Sequence, residues 1–227
     1  MRWIWRSVAV FFAVLFLYQL WLFAHVCWWV KFNPSSSAFM DTRLEIMQDK
    51  NPDAELRQKW VPYAKISDNL KRALVAAEDA KFVDHEGFDW EGIQKAYVKN
   101  LRKGRIVAGG STISQQLAKN LFLSTRRTPW RKLEEAAITV MLEAVMDKQR
   151  IFEIYLNVIE WGNGVFGAEA AARHYFHVSA AQLSAEQAAK LAAMVPNPRY
   201  YDKHRDARGL LLKTDIIMAR MNDAEIP

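Results

Sequence analysis

The sequence has a single cysteine, Cys27, so no disulfide can form within the chain, and cysteine usage says nothing about the redox compartment. It also lacks any convincing run of alternating β-branched residues, which removes the main signal for strands. No internal repeat or low-complexity tract is present. Lys and Arg outnumber Asp and Glu by 31 to 25, giving a net charge of +6. The basic residues are not interleaved with aromatics along one stripe, as single-strand nucleic-acid binders require. The surplus suits another anionic partner, either lipid headgroups or a phosphorylated substrate.

One feature that is present is a long stretch without charge. From Val8 to Val30 there is no Asp, Glu, Lys or Arg, although Gln19 and His25 interrupt the run. As a helix it would span about 35 Å, enough to cross a hydrocarbon core of about 30 Å. Trp3 and Trp5 at one end, and Trp28 and Trp29 at the other, suit the two membrane interfaces. Arg2 and Arg6 precede the run and only Lys31 follows closely, which places the N-terminus in the cytoplasm. The run is longer than a usual signal-peptide core, and no small-x-small cleavage site follows it. Residues 1–30 are therefore expected to form a signal anchor in the inner membrane, with the rest of the chain on the periplasmic side.

Residues 31–65 read as a linker and surface segment, because "NPSSS" lacks periodicity and Pro52 and Pro62 limit helix. Residues 66–227 read as an all-α domain. Ser67 can cap a helix running to about Ala80, and a second helix fits Trp90 to Arg102 with Gly104 beyond its end. Thr112 and Gln115 make a capping box, and Thr128 before Pro129 starts another helix. From Ala136 that helix is apolar on most sides and is expected to be the buried central one. Further helices fit 148–158, 166–176, 184–195 and 204–221. Ser184 and Gln187 form a second capping box.

Two places carry charge that core packing does not explain. In "ALVAAEDAKFVDHEG", Leu70, Ala73, Leu74 and Ala77 recur at helical spacing, and Glu78 lies four residues after Leu74 on nearly the same face. A carboxylate aimed at apolar surroundings has a raised pKa and can act as a general acid or base; the plain alternative is a helix-end carboxylate beside a loop histidine. In "GGSTISQQLAKNLFLSTRRTPWRKLEE", Gly109 and Gly110 let the backbone approach another molecule or move. Thr112, Gln115, Gln116 and Lys119 then form a polar stripe opposite Ile113, Leu117 and Leu121, and Arg126, Arg127, Arg131 and Lys132 follow. Hydroxyls, a helix N-terminus and a cation cluster are what a pyrophosphate needs, whereas the plain alternative is a solvated basic face. Arg131 and Glu135 are an i,i+4 pair, so a carboxylate sits beside the candidate anion site.

"AAEDAKFVDHEG", "GGSTISQQLAKNLFL", "RKLEEAAITVMLE", "IFEIYLNVIEWGNGVFGAEAAARHYF" and "LSAEQAAKLAAMVPNPRYY" resemble successive motifs of the family 51 peptidoglycan glycosyltransferases. The resemblance runs in order from about Ile66 to Tyr201. It implies a lysozyme-like helical fold that polymerises lipid II, with the growing glycan chain as donor and undecaprenyl pyrophosphate as leaving group. It implies that Glu78 is the general base and that Glu135 is the second essential glutamate, near the donor's sugar and phosphates. It places Asp79, Phe82 and His85 around the acceptor, and assigns Ser111, Thr112, Gln116, Lys119 and Asn120 to the second motif. Lys119, Arg131 and Lys132 correspond to positions that hold the pyrophosphate. A divalent cation, Mg or Mn, assists some members, though this sequence shows no closed set of metal ligands. "EWG" at 160–162 departs from the tyrosine or phenylalanine that many members carry before glycine, so no catalytic role passes to Trp161.

No serine in the chain has lysine three positions later, so the acylation motif of the transpeptidases is missing; "SDN" at 67–69 and "KTD" at 213–215 are chance echoes of their other signatures. Lipid II, the growing glycan and membrane lipid are the expected partners, nucleic acid is not, and proteins of cell-wall synthesis or division are candidates. Two rival classes remain. A lysozyme-like hydrolase would leave the basic cluster unexplained, because its glycan substrate has no pyrophosphate. A non-catalytic wall-binding protein would tolerate loss of Glu78 and Glu135. The anchor reading is checked by adding protease outside opened cells, which should digest the main domain and leave a short membrane fragment. A mature N-terminus near residue 30 would refute it.

Overall fold

Most helices begin where the sequence supplies a cap. The computed structural model describes residues 2–105, 109–124 and 128–227. Helix α1 (Arg2–Trp29) is followed by α2 (Ala38–Gln48), where the Ser37 side chain accepts from the Met40 N–H. Ser67 caps α3 (Asp68–Glu78), and Asp89 caps α4 (Trp90–Lys103), which ends on left-handed Gly104 at φ 63°. Both halves of the Thr112–Gln115 capping box form at the start of α5 (Ile113–Phe122). Thr128 caps α6 (Pro129–Val145) with Pro129 in its first turn, and Asp147 caps α7 (Lys148–Val158). Then come α8 (Ala168–Phe176), α9 (Ala185–Met194) with the Ser184–Gln187 box, α10 (Pro198–Lys203) and α11 (Arg208–Arg220).

The fold is helical, as expected, but differs in four places. The stretch expected to be a linker carries α2, which packs on α5. Its helix starts at a Ser cap and is too weakly amphipathic to show as a periodic stripe. The helix expected over 204–221 begins at Arg208, and Pro198 opens the separate short α10. A small sheet is present in the order β1-β3-β2, built from β1 (Arg57–Gln58), β2 (Glu160–Gly162) and β3 (Val165–Phe166). β1 runs parallel to β3, with Arg57 opposite Val165, and β2 is antiparallel to β3. Strands of two or three residues are too short to show alternation. Finally, the central helix is α7 and not α6. Ile151, Phe152, Ile154, Tyr155, Leu156 and Val158 are all buried, whereas Trp130, Leu133 and Val140 on α6 are exposed. Apolar residues all round α6 reflect one face toward the core, another toward α1, and a third left open.

Among the described residues α1 is the one helix long and apolar enough to cross a membrane. Its first half is exposed, while Leu22 and Val26 in its second half are buried. There it packs on α6, and the Tyr18 hydroxyl donates to Glu134 Oε1 at 2.7 Å. Trp29 meets Phe122 of α5 with ring centroids 5.0 Å apart. Arg150 fastens the end of α1: Nε donates to the Trp29 carbonyl at 2.9 Å, and Nη2 to the Phe32 carbonyl at 2.8 Å and to Asn33 Oδ1 at 2.9 Å.

α5 lies between α6 and α7, and α3 packs on α9 and α11. Between β3 and α8, Gly167 has φ 81° and ψ 154°, a region essentially closed to other residues. A Cβ there would lie 2.7 Å from the Asn157 carbonyl oxygen. Gly167→Ala should therefore destabilise the protein by about 2 kcal/mol or more, read as a lower denaturation midpoint in detergent.

Candidate active site

The carboxyl end of α3 and the amino end of α5 meet at a buried carboxylate. Asp79 follows the last residue of α3, and its Oδ2 accepts the Ile113 N–H, the first of α5, at 2.9 Å. Its Oδ1 lies 3.0 Å from His85 Nε2. An anion is favoured at that position, since the first N–H groups of a helix have no partner within it. His85 Nδ1 is buried without a partner among the described residues. Thr112 donates to the Gly87 carbonyl at 2.7 Å, which closes the loop between α3 and α4 over the same helix end.

Glu78, half-buried one residue earlier, faces outward from this junction. It lines a cleft of about 200 Å³ with Asp79, Asp89, Gly109, Gly110, Ser111 and Thr112. Gln116 Nε2 donates to its Oε2 at 2.7 Å. Burial raises the Glu78 pKa above the ordinary carboxylate value; the Gln116 hydrogen bond and the charges of Lys213 and Lys119 oppose the shift, and Asp79 adds to it.

Gln116 also lines a second cleft, of about 310 Å³, together with Phe39, Lys119, Asn120, Arg131, Glu160 and Arg199. Lys119 lies three residues on from Gln116 and makes no ion pair among the described residues. Its ammonium sits over the Phe39 ring, 5.6 Å from the centroid. Burial lowers its pKa, Glu135 opposes this, and Arg131 and Lys132 add to it. Arg131 Nη1 pairs with Glu135 Oε2 at 3.1 Å, and Lys132 Nζ bonds the other Glu135 oxygen. Arg131 Nε is buried with no partner among the described residues. Three cations around one buried carboxylate leave a site short of negative charge, which an entering phosphate would supply.

The structure thus places Glu78 on the first cleft and Gln116, Lys119 and Arg131 on the second, joined by the Gln116–Glu78 hydrogen bond, with Glu135 buried under Arg131 and Lys132. Other expected site residues lie behind them. Phe82 has no exposed surface and packs edge-on to His85 and against Phe152, so it cannot itself touch a molecule in the cleft. Asp79, Thr112 and Asn120 are buried too, and Asn120 donates to the Gln116 carbonyl at 2.7 Å. The polar stripe read along α5 is therefore mostly an internal network, open to solvent only near Gln116 and Lys119. Ser111 is exposed and accepts from Lys132 at 3.4 Å. Arg126 and Arg127 lie outside the described residues. Among those described, no three His, Cys, Asp or Glu side chains converge as metal ligands, and no step below is routed through a cation.

Sequence reasoning gave no role to Glu160, which is held by Arg43 at 3.2 Å and Arg199 at 3.7 Å on the wall of the second cleft. Its signal was available: an ionisable residue between Ile159 and Trp161. Its partners come from α2 and α10, the two helices that periodicity did not reveal.

A family model described as Transglycosylase matches residues 45–222. The chain belongs to the transglycosylase family. Family relatives named biosynthetic peptidoglycan transglycosylase cover nearly the whole chain. The one from Laribacter hongkongensis is 70% identical over 100% of both chains. The one from Methylobacillus flagellatus is 69% identical over 98% of this chain and 97% of its own. For this transglycosylase-family chain, Lys119→Ala should lower turnover about 10- to 150-fold, the value of one charge-assisted contact felt in the transition state. Stability should hold, because removing a half-buried cation that has no ion pair among the described residues strands no partner there. Single-turnover rates and a thermal melt check both halves.

Proposed function

We propose that the protein is a membrane-anchored peptidoglycan glycosyltransferase that polymerises lipid II into β-1,4-linked glycan strands, releases undecaprenyl pyrophosphate and has no transpeptidase activity. The main domain works on the periplasmic side of the inner membrane. The observation that carries the reading is the span of α5: Gln116 touches Glu78, and Lys119, three residues further, faces the cation-lined cleft. A base and an anion site are thereby set side by side, as a displacement of pyrophosphate by a hydroxyl requires.

Glu78 takes the proton of the acceptor's 4-hydroxyl as that oxygen bonds to the donor's anomeric carbon. The bond from that carbon to the pyrophosphate oxygen breaks, and the configuration inverts from α to β. The departing electron pair stays on the pyrophosphate, where Lys119 and Arg131 meet the growing charge without giving up a proton. Glu135 holds Arg131 and Lys132 in place. A base whose pKa is raised toward the working pH takes the proton more readily than an exposed carboxylate. Asp79 is a poor substitute, because it is buried and its oxygens already accept from Ile113 and His85.

The reading is tested by incubating the full-length protein in detergent with labelled lipid II. Polymer should form equally with and without penicillin; cleavage of finished glycan, or no product, would refute it. Glu78→Gln should cost about 10²–10⁴-fold or more. Activity needs ionised Glu78, so it should fall on acidification. Because the folded pKa is raised, the fall should begin at a higher pH than for an ordinary glutamate, and this limb should vanish from the variant's residual rate. A variant that keeps a tenth of the activity with an unchanged profile would remove Glu78 as base.

A further inference from the structure

Tyr155 lies on the central helix α7 with no exposed surface, yet its phenol reaches Gln116, the neutral side chain that bonds Glu78. The Tyr155 hydroxyl donates to Gln116 Oε1 at 3.0 Å, and Gln116 Nε2 donates to Glu78 Oε2 at 2.7 Å. We propose that Tyr155 is a positioning residue for the base: it fixes which end of the Gln116 amide faces Glu78. The inference rests on the assignment of Glu78 as base.

A side-chain amide has a donor end and an acceptor end of nearly the same shape. Turned by half a revolution, Gln116 would present its carbonyl to Glu78, an arrangement that suits a protonated carboxyl and repels a carboxylate. Its NH₂ would then donate to the phenol oxygen, and the phenol's own proton would have to find another acceptor. Gln116 is the group that this hydroxyl bonds, and Tyr155 is packed against Phe152 with ring centroids 6.1 Å apart, so it cannot swing to water. A buried O–H without an acceptor is disfavoured. Tyr155 thus selects the amide orientation that donates to Glu78, which favours the ionised, proton-accepting form. Burial, reinforced by Glu78 and Asp79, keeps the phenol pKa far above the working range, so it remains a donor throughout.

The other charges that act on Glu78 are Lys119 of α5, Lys213 of α11 and the adjacent Asp79. Removing only the phenol oxygen leaves all three in place, and Tyr155→Phe keeps the ring that fills the core. The variant therefore isolates the amide's orientation.

The experiment measures kcat and KM for lipid II against pH in the full-length protein, with Tyr155→Phe, Gln116→Leu and both together. Tyr155→Phe should lower kcat about three- to tenfold near neutral pH, leave KM within about twofold, and move the acid limb upward by roughly 0.5–1 pH unit. In the Gln116→Leu background the same change should alter kcat by less than about twofold, because the group it positions is gone. An unmoved acid limb, or an equal loss in both backgrounds, overturns the proposal; so does an effect confined to thermal stability. Gln116→Glu gives an independent reading. It sets a second carboxylate against Glu78 and should raise the acid limb strongly, and an unchanged limb would count equally against the geometry. If Glu78→Gln retains activity, the base assignment fails and this inference with it. If Glu78→Gln is inactive while Tyr155→Phe titrates like the parent, only the positioning role falls.

Discussion

The Asp79 carboxylate accepts from the first N–H of α5 and meets the His85 imidazole while almost entirely withdrawn from water. A buried charge is tolerated only when its oxygens are satisfied, so each of these partners is held where the carboxylate needs it. The consequence reaches well beyond the residue itself. Glu78 immediately precedes Asp79, and Gln116 and Lys119 lie on the first two turns of the helix that Asp79 fixes. The Glu78 carboxyl, the Gln116 amide and the Lys119 cation are thus placed from one point. The capping box at Thr112 and the bond from Thr112 to Gly87 lock the same helix end a second way.

Two glutamates in one site are given different work by their neighbours. Glu78 has a neutral hydrogen-bond donor and a burial that raises its pKa, conditions that suit a proton acceptor. Glu135 is clasped by Arg131 and Lys132 and cannot serve that purpose without breaking both contacts. Its value lies in holding two cations apart from one another and close to Lys119. Repulsion among three such charges in a half-buried cleft is relieved further when an anion enters, so binding and site organisation favour each other.

Much of this was legible from the sequence, because the relevant physics is local. Thr112 with Gln115, Ser184 with Gln187, and Thr128 before Pro129 mark helix starts through bonds that span three or four residues. Glu78 on the apolar side of α3 and Glu135 one turn from Arg131 follow from helical spacing. What periodicity could not show was depth. Asp79, Thr112 and Asn120 look like surface polar residues, yet they bond to one another's neighbourhoods inside the domain. The mistaken preference for α6 over α7 as the central helix has a related cause: an apolar face can be meant for α1 as well as for the core. Glu160 escaped notice because its partners, Arg43 and Arg199, come from opposite ends of the chain.

The second half of α1 has Leu22 and Val26 buried, Arg150 holds the Trp29 carbonyl at its end and the Phe32 carbonyl just beyond, and it touches α5 through Phe122 and α6 through Glu134. Those are the helices that carry Lys119 and Glu135. A flexible tether would let the domain drift and roll above the bilayer. This join makes α1 a fixed strut, so the direction in which its long apolar half leaves the domain, relative to the cation cleft, is built into the protein. For the membrane-anchored enzyme proposed above, a substrate whose pyrophosphate sits at a set distance from its own lipid tail would meet a receptor mounted at a set level.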